Sequence, residues 1–265
     1  MIISKQKGDI LMFQKGNTYG DINLKEQRIG EIKYNNDGEL MKIIEYIDRD
    51  HIVVEFLQYP YIKKSTYSQF KRGCIKNPYF PKFYGVGYIG ETEVNESNGV
   101  HFQSYNIWKA ILKRCYDKKN YIQHPCYEKC TVCDEWLCYK NFKEWYESHK
   151  YYLPKGEMLH IDKDILIKHN TVYSPDNCIL VPRHINEMFK LNTNCGIRKQ
   201  YNGKYYVQSN HHYVGTFDTI EQANIANNLY KNYYLQSELK KYEEYLPSAI
   251  LELLRNYRFD CEVNL

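Results

Sequence analysis

The sequence predicts a mixed α+β protein built from three parts. Short β-type stretches separated by turn residues fill the region from residue 28 to residue 70 of the 265-residue chain. A pattern of strand, long turn, strand and helix runs from 158 to 189, with helical periodicity before it. Three more strand-like stretches and a helix follow from residue 196 onward. We therefore predict three domains, residues 1–84, 85–195 and 196–265.

The first part, residues 1–84, is predicted to be a small β module. Its strands are rich in β-branched and aromatic residues and are bounded by turn segments at 35–38 and 48–50. This pattern is typical of a small SH3-like barrel, and a further strand pair is predicted before Gly20. The main predicted strands cover residues 28–34, 41–46, 51–57 and 63–70.

Two helices with apolar faces are predicted between residues 85 and 156. Tyr105, Trp108 and Leu112 lie at helical spacing in a segment that ends near Tyr116. The pair Phe142 and Trp145 indicates the second helix. Since apolar residues at this spacing usually form a core, we expect both helices to brace the segment that follows.

Polar side chains alternate along the first strand of the segment 158–189. In an extended strand over 159–165, His160, Asp162 and Asp164 project from one face, and the apolar residues between them pack on the other. The apolar run 178–181 predicts a buried second strand.

A helix is expected to open at Pro182 and to carry Arg183 and Asn186. Two antiparallel strands followed by this helix bring Asn186 back towards His160 and Asp162.

The segments 160–162 and 175–178 and the pair Ile185–Asn186 resemble the HNH (ββα-metal) endonucleases, in particular phage-type homing endonucleases. The resemblance implies metal-dependent hydrolysis of double-stranded DNA, with a histidine of the first strand as general base. It also implies a divalent ion held by a strand carboxylate and by the helix asparagine, Asn186. Oxygen ligands of this kind suit Mg²⁺ or Mn²⁺. Arg183 is a candidate phosphate contact.

Two registers of this resemblance are open at the first strand. In one, His160 is the base, Asp162 is the metal carboxylate and Asp164 is an alternative ligand. In the other, Asp162 keeps its place and Lys163 stands where the base belongs. We favour the first, because a histidine can accept a proton near neutral pH whereas an unperturbed lysine already holds one. Many family members carry a metal-binding residue where this chain has Leu159.

The segment 196–236 predicts three short antiparallel strands and a helix. Asn202–Gly203 marks a turn, and Thr219 with Gln222 three residues later forms a capping box for the helix. The stretches 203–205, 214–219 and 221–223 resemble an AP2-type DNA-binding domain, in which the exposed face of the sheet enters the major groove. By position, the DNA contacts implied are Arg198, Lys199, Lys204, Tyr206 and Gln208.

The nine cysteines permit two interpretations. Cys130 and Cys133 have the CxxC spacing of a zinc knuckle, which indicates a structural Zn²⁺ site. Alternatively, the thiols are buried as small hydrophobic side chains. An odd cysteine count disfavours a secreted disulfide framework, so we expect a reducing, cytoplasmic compartment, in a bacterial host or encoded by a phage.

Composition limits the possible functions without selecting one. No apolar run reaches the length of a membrane span, so no membrane contact is predicted. The net charge of +4 does not by itself indicate a nucleic-acid partner. We predict a DNA endonuclease. A DNA-binding regulator whose HNH scaffold has lost activity is the main alternative, consistent with Leu159. An RNA-directed or structural phage protein that uses aromatic stacking is a third.

Overall fold

The computed structural model describes residues 25–96, 99, 101–189 and 196–259. The chain forms two compact units, Met1–Lys82 and Phe83–Leu265. The described residues contain both helices and strands, and the described strands form four small sheets, so the predicted α+β class is confirmed. The division into 1–84, 85–195 and 196–265 stays a prediction. The strand pair predicted before Gly20 lies outside the described residues.

The described part of the first unit contains an open antiparallel sheet and a helix that follows it. Its elements are β1 (Ile32–Tyr34), β2 (Leu40–Asp48), β3 (His51–Phe56), β4 (Tyr61–Ser65) and α1 (Tyr67–Arg72). The strands lie in sequence order, and Met41, Val54 and Phe56 pack with Phe70 of α1 in the core. The predicted barrel is wrong for the described residues, because β1 and β4 lie at opposite edges of the sheet.

The stretch 63–70, predicted as one strand, divides into the end of β4 and the start of α1. The side chain of Thr66 caps the helix by accepting a hydrogen bond from the backbone N–H of Gln69 at 3.2 Å. Gly73 ends the helix in the left-handed region, at φ 68°. These two local signals outweigh the β-type composition of the segment.

The second unit begins with helices around an aromatic core. They are α2 (Gln103–Tyr116), α3 (Lys118–Gln123), α4 (Asp134–Leu137) and α5 (Tyr139–His149), with a 3₁₀ turn at Pro125–Tyr127. The two predicted helices are confirmed as α2 and α5. Trp108, Trp136 and Phe142 are buried together, and Trp108 Nε1 donates a hydrogen bond to the carbonyl of Trp136 at 2.7 Å.

A strand pair and a helix follow this core. The elements are β6 (Leu159–Asp162), β8 (Ile179–Pro182) and α6 (Arg183–Phe189), and a short parallel pair joins β5 (Thr131–Val132) to β7 (Val172–Tyr173). Strands β6 and β8 pair antiparallel as predicted. Two boundaries differ from the prediction: β6 stops at Asp162, and Pro182 ends β8 one residue before the helix begins.

The chain continues into a three-stranded antiparallel sheet and two helices. They are β9 (Ile197–Lys199), β10 (Tyr205–Ser209), β11 (His212–Phe217), α7 (Ile220–Tyr242) and α8 (Ser248–Asn256). The predicted sheet is present in the order β11-β10-β9. The predicted cap is present too, because Thr219 Oγ1 accepts from the backbone N–H of Gln222 at 3.2 Å.

A second core joins these last helices to α6. Ile185 and Met188 of α6 pack with Leu235 and Leu239 of α7 and with Leu254 of α8, all of them buried. The strand pair β6–β8 and the C-terminal helices therefore belong to one compact unit.

Within the described ranges, no helix is both long enough and apolar enough to span a bilayer.

Gly196 is the position where the C-terminal sheet depends on a glycine. Its φ is +73°, and a Cβ there would lie 1.9 Å from the carbonyl oxygen of Gln208. We expect Gly196→Ala to separate β9 from β10 and to lower the free energy of unfolding by about 2–4 kcal/mol, measured by urea unfolding. Gly203→Ala is the matched control. Gly203 also has a positive φ, of +82°, but a Cβ there meets nothing within 4 Å. Equal losses in the two variants would contradict the steric argument.

Candidate active site

The two faces of the β6–β8 pair contact different cores. Leu159 and Ile161 of β6 and Leu180 of β8 are buried in the aromatic core with α2 and α5. Because side chains alternate along a strand, His160 and Asp162 lie on the other face. Opposite them on β8 stand Val181 and Ile179, which pack in the second core with α6. The polar pair of β6 therefore faces the helix that carries Asn186.

Asn186 connects α6 to this strand. Its side-chain Nδ2 donates a hydrogen bond to the carbonyl of Ile161 at 3.1 Å, and the residue is buried. Ile161 lies between His160 and Asp162, so the structure brings these three predicted site residues together. Asn186 was predicted from its place in the sequence, but only the packing of α6 across β6 shows that its amide contacts this strand.

Asp162 ends the strand and turns the chain. Its Oδ1 accepts hydrogen bonds from the backbone N–H groups of Asp164 and Ile165, both at 2.7 Å. Burial raises the pKa of Asp162 to about 6, and the two N–H donors oppose that rise. The neighbouring carboxylate of Asp164 also raises this pKa, so the two acidic groups lie close enough to repel.

The predicted position of Asp164 on the strand face is wrong. Since the turn begins at Asp162, Asp164 leaves the alternation of β6, and its Oδ1 accepts a hydrogen bond from Lys163 Nζ at 2.7 Å. Ile165 likewise packs in the second core and not beside Leu159 and Ile161. The alternation of polar and apolar residues in the sequence continues to Ile165, but the extended backbone ends at Asp162.

Lys163 and Asn170 hold the long turn between β6 and β7. The buried ammonium of Lys163 donates to the carbonyl of Asn170 as well as to Asp164. Asn170 in turn donates to the carbonyls of Lys163, at 3.0 Å, and Val172, at 2.8 Å. The role of Asn170 in closing the loop depends on Lys163, seven residues away, and no local signal in the sequence reveals that contact.

Arg183, the predicted phosphate contact, lies on the exposed surface of α6. Its Nε donates to Glu187 Oε1 at 2.9 Å, in a pair one helical turn apart. Exposed pairs of this kind contribute little free energy, so the guanidinium remains available to another anion. The structure therefore leaves Arg183 outside the group formed by the partly buried His160 and the buried Asp162 and Asn186.

The donor types at this site suit a hard divalent cation. Two carboxylates close in space and one amide are the oxygen ligands that Mg²⁺ and Mn²⁺ prefer, and a cation there would relieve the repulsion between Asp162 and Asp164. Histidine, cysteine and acidic residues form no group of three or more that could hold a metal in the ranges 25–96, 101–189 and 196–259. The predicted ligand set also includes the amide of Asn186, and a metal at this set stays a prediction.

Cys130 and Cys133 flank β5, and neither forms a disulfide. The buried Cys130 donates its S–H to the carbonyl of Cys126 at 3.6 Å, and burial raises the pKa of both thiols. Neutral thiols are poor zinc ligands until they lose their protons. A structural zinc at this pair stays a prediction.

The five predicted DNA contacts divide between the two sides of the C-terminal sheet. Val207 of β10 is fully buried on the side covered by α7, so its neighbours Tyr206 and Gln208 lie on the outer side. Arg198 stands opposite Tyr206 on β9 and shares that outer side. Tyr206 also stacks on Tyr213, with ring centroids 5.0 Å apart.

Lys199 does not share the outer face, and Lys204 is held in an ion pair. Lys199 pairs with Tyr205 on the helix side, and its Nζ lies 5.8 Å from the centroid of that ring. Lys204 precedes β10 and forms an exposed ion pair with Asp218, with Nζ and Oδ1 3.0 Å apart. The structure therefore groups Arg198, Tyr206 and Gln208 as one surface and separates Lys199 from it. Tyr213, which the sequence did not single out, belongs to the same surface.

Comparison of the chain with protein-family models, with curated proteins and with solved structures finds no match.

The raised pKa of Asp162 predicts a pH dependence of stability without metal. The folded protein keeps this proton up to about pH 6, whereas an ordinary aspartate releases it near 3.8, so the folded state binds more protons between these values. The free energy of unfolding therefore falls as the pH rises from about 4 to about 6. We expect Asp162→Asn to remove this fall, so that its stability relative to the wild type increases by about 3 kcal/mol across the window.

Urea unfolding in EDTA at several pH values between 4 and 8 measures this difference. A difference between the two proteins that stays constant over the whole range would show that the pKa of Asp162 is not raised.

Proposed function

We propose that this protein is a metal-dependent DNA endonuclease of the HNH type, which hydrolyses phosphodiester bonds. One observation carries the proposal. The antiparallel β6–β8 pair is followed by α6, and the amide of Asn186 contacts β6 at Ile161, between His160 and Asp162. A partly buried histidine, a buried carboxylate and a buried amide thus share one side of one strand pair.

His160 is the general base in this proposal. An imidazole that titrates near neutral pH can take a proton from water at the pH of the cell. Asp162 and Asn186 would hold Mg²⁺ or Mn²⁺, with Asp164 as an alternative ligand. The ion, when bound, supplies positive charge against the developing negative charge on the phosphate.

The contacts of Lys163 support this register over the one that makes Lys163 the base. Its ammonium is buried and donates to the carbonyl of Asn170 and to the carboxylate of Asp164. In both contacts the amine is the hydrogen-bond donor, and both contacts close the turn between β6 and β7. Lys163 thus has a structural role and not that of the base.

The outer face of the C-terminal sheet supports duplex DNA as the substrate. Arg198 is exposed there beside Tyr206 and Gln208, which combines a cation, an aromatic ring and an amide on one flat surface. Such side chains contact phosphates and base edges. In this proposal the AP2-like surface contacts the DNA, and Lys199 and Lys204 lie at the margin of that contact. The free thiols at seven described cysteines support a reducing cytoplasmic compartment.

Removal of the proposed base tests the activity. We expect the wild type to convert supercoiled plasmid to nicked or linear DNA in Mg²⁺, and His160→Ala to lower the cleavage rate by about 100-fold or more. Duplex affinity, measured by fluorescence anisotropy in Ca²⁺ or EDTA, should change less than about twofold, because the imidazole acts on water and not on binding.

His184→Ala is the matched control, since His184 is an exposed histidine on α6. It should cleave like the wild type. Unchanged cleavage by His160→Ala would remove the base assignment. A wild-type protein that binds duplex without cutting it would contradict the nuclease proposal and favour the regulator alternative. Preference for single-stranded RNA over duplex DNA would favour the third alternative, an RNA-directed phage protein.

The two sides of the C-terminal sheet predict different effects on DNA binding. Arg198→Ala should weaken duplex binding about tenfold. It should also reduce the slope of log K against log salt concentration by about 1, which corresponds to the loss of one phosphate contact. Lys199→Ala should have a much smaller effect, because Lys199 lies on the side of the sheet that α7 covers. Anisotropy titrations at several salt concentrations give both quantities. Equal losses in the two variants would contradict the assignment of the outer face.

A further inference from the structure

The side of α7 that faces away from the sheet carries an exposed apolar row. Ile225, Leu229 and Tyr233 have 48%, 64% and 71% of their surface exposed. Residues spaced by four lie on one side of a helix, one turn apart. We call these three residues the α7 stripe.

Two other sides of α7 are already occupied. Ala223 and Asn227 are buried where the helix packs on the C-terminal sheet, and Leu235 and Leu239 are buried in the second core. At 3.6 residues per turn, Asn227 projects about 160° from Leu229 and Leu239 about 80° from it. The α7 stripe is therefore apolar beyond the sides that the rest of the unit covers, and a row of large exposed apolar residues usually marks an interaction surface.

Charged residues flank the α7 stripe with opposite signs at its two ends. Asp218 and Glu221 are exposed at the start of the helix, and Lys240 is exposed near its end. Asp218 and Lys240 are equally distant in sequence from Leu229. At 3.6 residues per turn, Lys240 and Glu221 project within about 80° of Leu229, on the same side of the helix.

We propose that the α7 stripe binds the α7 stripe of a second copy of this chain, with the two helices antiparallel and crossing at Leu229. A two-fold axis through this point sets Leu229 against its own counterpart and Ile225 against Tyr233 of the partner subunit. The acidic start of each helix then meets the basic end of the other. Such a contact is self-complementary, as a two-fold dimer requires.

The chemistry of the surface favours this occupant over nucleic acid. The α7 stripe itself is uncharged, so it cannot neutralise phosphates, and its ends carry both signs. A polar rim around an apolar centre is instead the ordinary arrangement of a protein interface. Three large side chains form a small contact, so we expect a reversible dimer with a dissociation constant of about 1–100 μM. The outer face of the C-terminal sheet, on the other side from α7, stays uncovered.

Sedimentation equilibrium of the full chain in EDTA, without DNA, tests this proposal separately from the nuclease. We expect a monomer–dimer equilibrium across about 1–200 μM. Leu229→Glu should weaken it at least tenfold, because two carboxylates would meet at the axis. Ile122→Glu is the matched control, since Ile122 is 83% exposed on α3, outside the stripe, and should leave the equilibrium unchanged. Circular dichroism verifies that each variant is folded.

The charged ends test the antiparallel orientation. Lys240→Glu should weaken the dimer severalfold by bringing like charges together, and adding Asp218→Lys should restore it. The existing pair between Asp218 and Lys204 is exposed, so its loss costs little. A wild type that is monomeric at 200 μM, a Leu229→Glu variant that dimerises like the wild type, or a double variant that stays weakened would each overturn the proposal.

Discussion

The central constraint in the second unit is that a short strand pair lies between two hydrophobic cores. One face of β6–β8 is buried in the aromatic core, and the other packs under α6. Side chains outside the pair fix its backbone as well. Gln103 of α2 donates to the carbonyl of Leu159 at 3.2 Å, and the hydroxyl of Tyr151 donates to the carbonyl of Leu180 at 2.9 Å. Polar residues on β6 are therefore held in a region with little water.

The chemistry of the candidate site depends on this burial. A carboxylate removed from water holds its proton more tightly, which is why the pKa of Asp162 rises to about 6. Two backbone N–H groups and the turn around Asn170 keep that carboxylate in place despite the cost of desolvation. Desolvation and repulsion of this kind are typical of sites that bind a cation or a proton. The hydrophobic packing of the two cores on either side offsets the desolvation cost of the buried carboxylate.

The C-terminal segment combines two surfaces on one small scaffold. Its sheet packs one face on α7 and leaves the other to Arg198, Tyr206 and Gln208, while α7 itself exposes an apolar row on its far side. Gly196 allows β9 to join the sheet, since any side chain there would meet the backbone of β10. The two exposed surfaces point in opposite directions, so binding at one does not obstruct the other.

Local patterns in the sequence determined much of the secondary structure. Apolar spacing predicted α2, α5 and the β6–β8 pair, and the capping residues Thr219 and Gln222 predicted where α7 begins. These elements follow from short-range periodicity and from hydrogen bonds within a few residues. The same reasoning named His160, Asp162 and Asn186 as one candidate group.

Only the tertiary structure decided which polar residues share a surface. Asp164 left the strand face because Asp162 accepts two backbone N–H bonds and turns the chain. Lys163 is tied to Asn170, and Lys199 lies on the other side of the sheet from Arg198, because strand pairing and helix packing set these positions. In the described residues of the first unit the sheet is open, and a helix that begins after Thr66 and ends at Gly73 follows β4. Each of these outcomes depends on contacts between segments distant in sequence or on a turn that interrupts a pattern. The spacing of residues in the sequence predicts neither the contacts nor the turn.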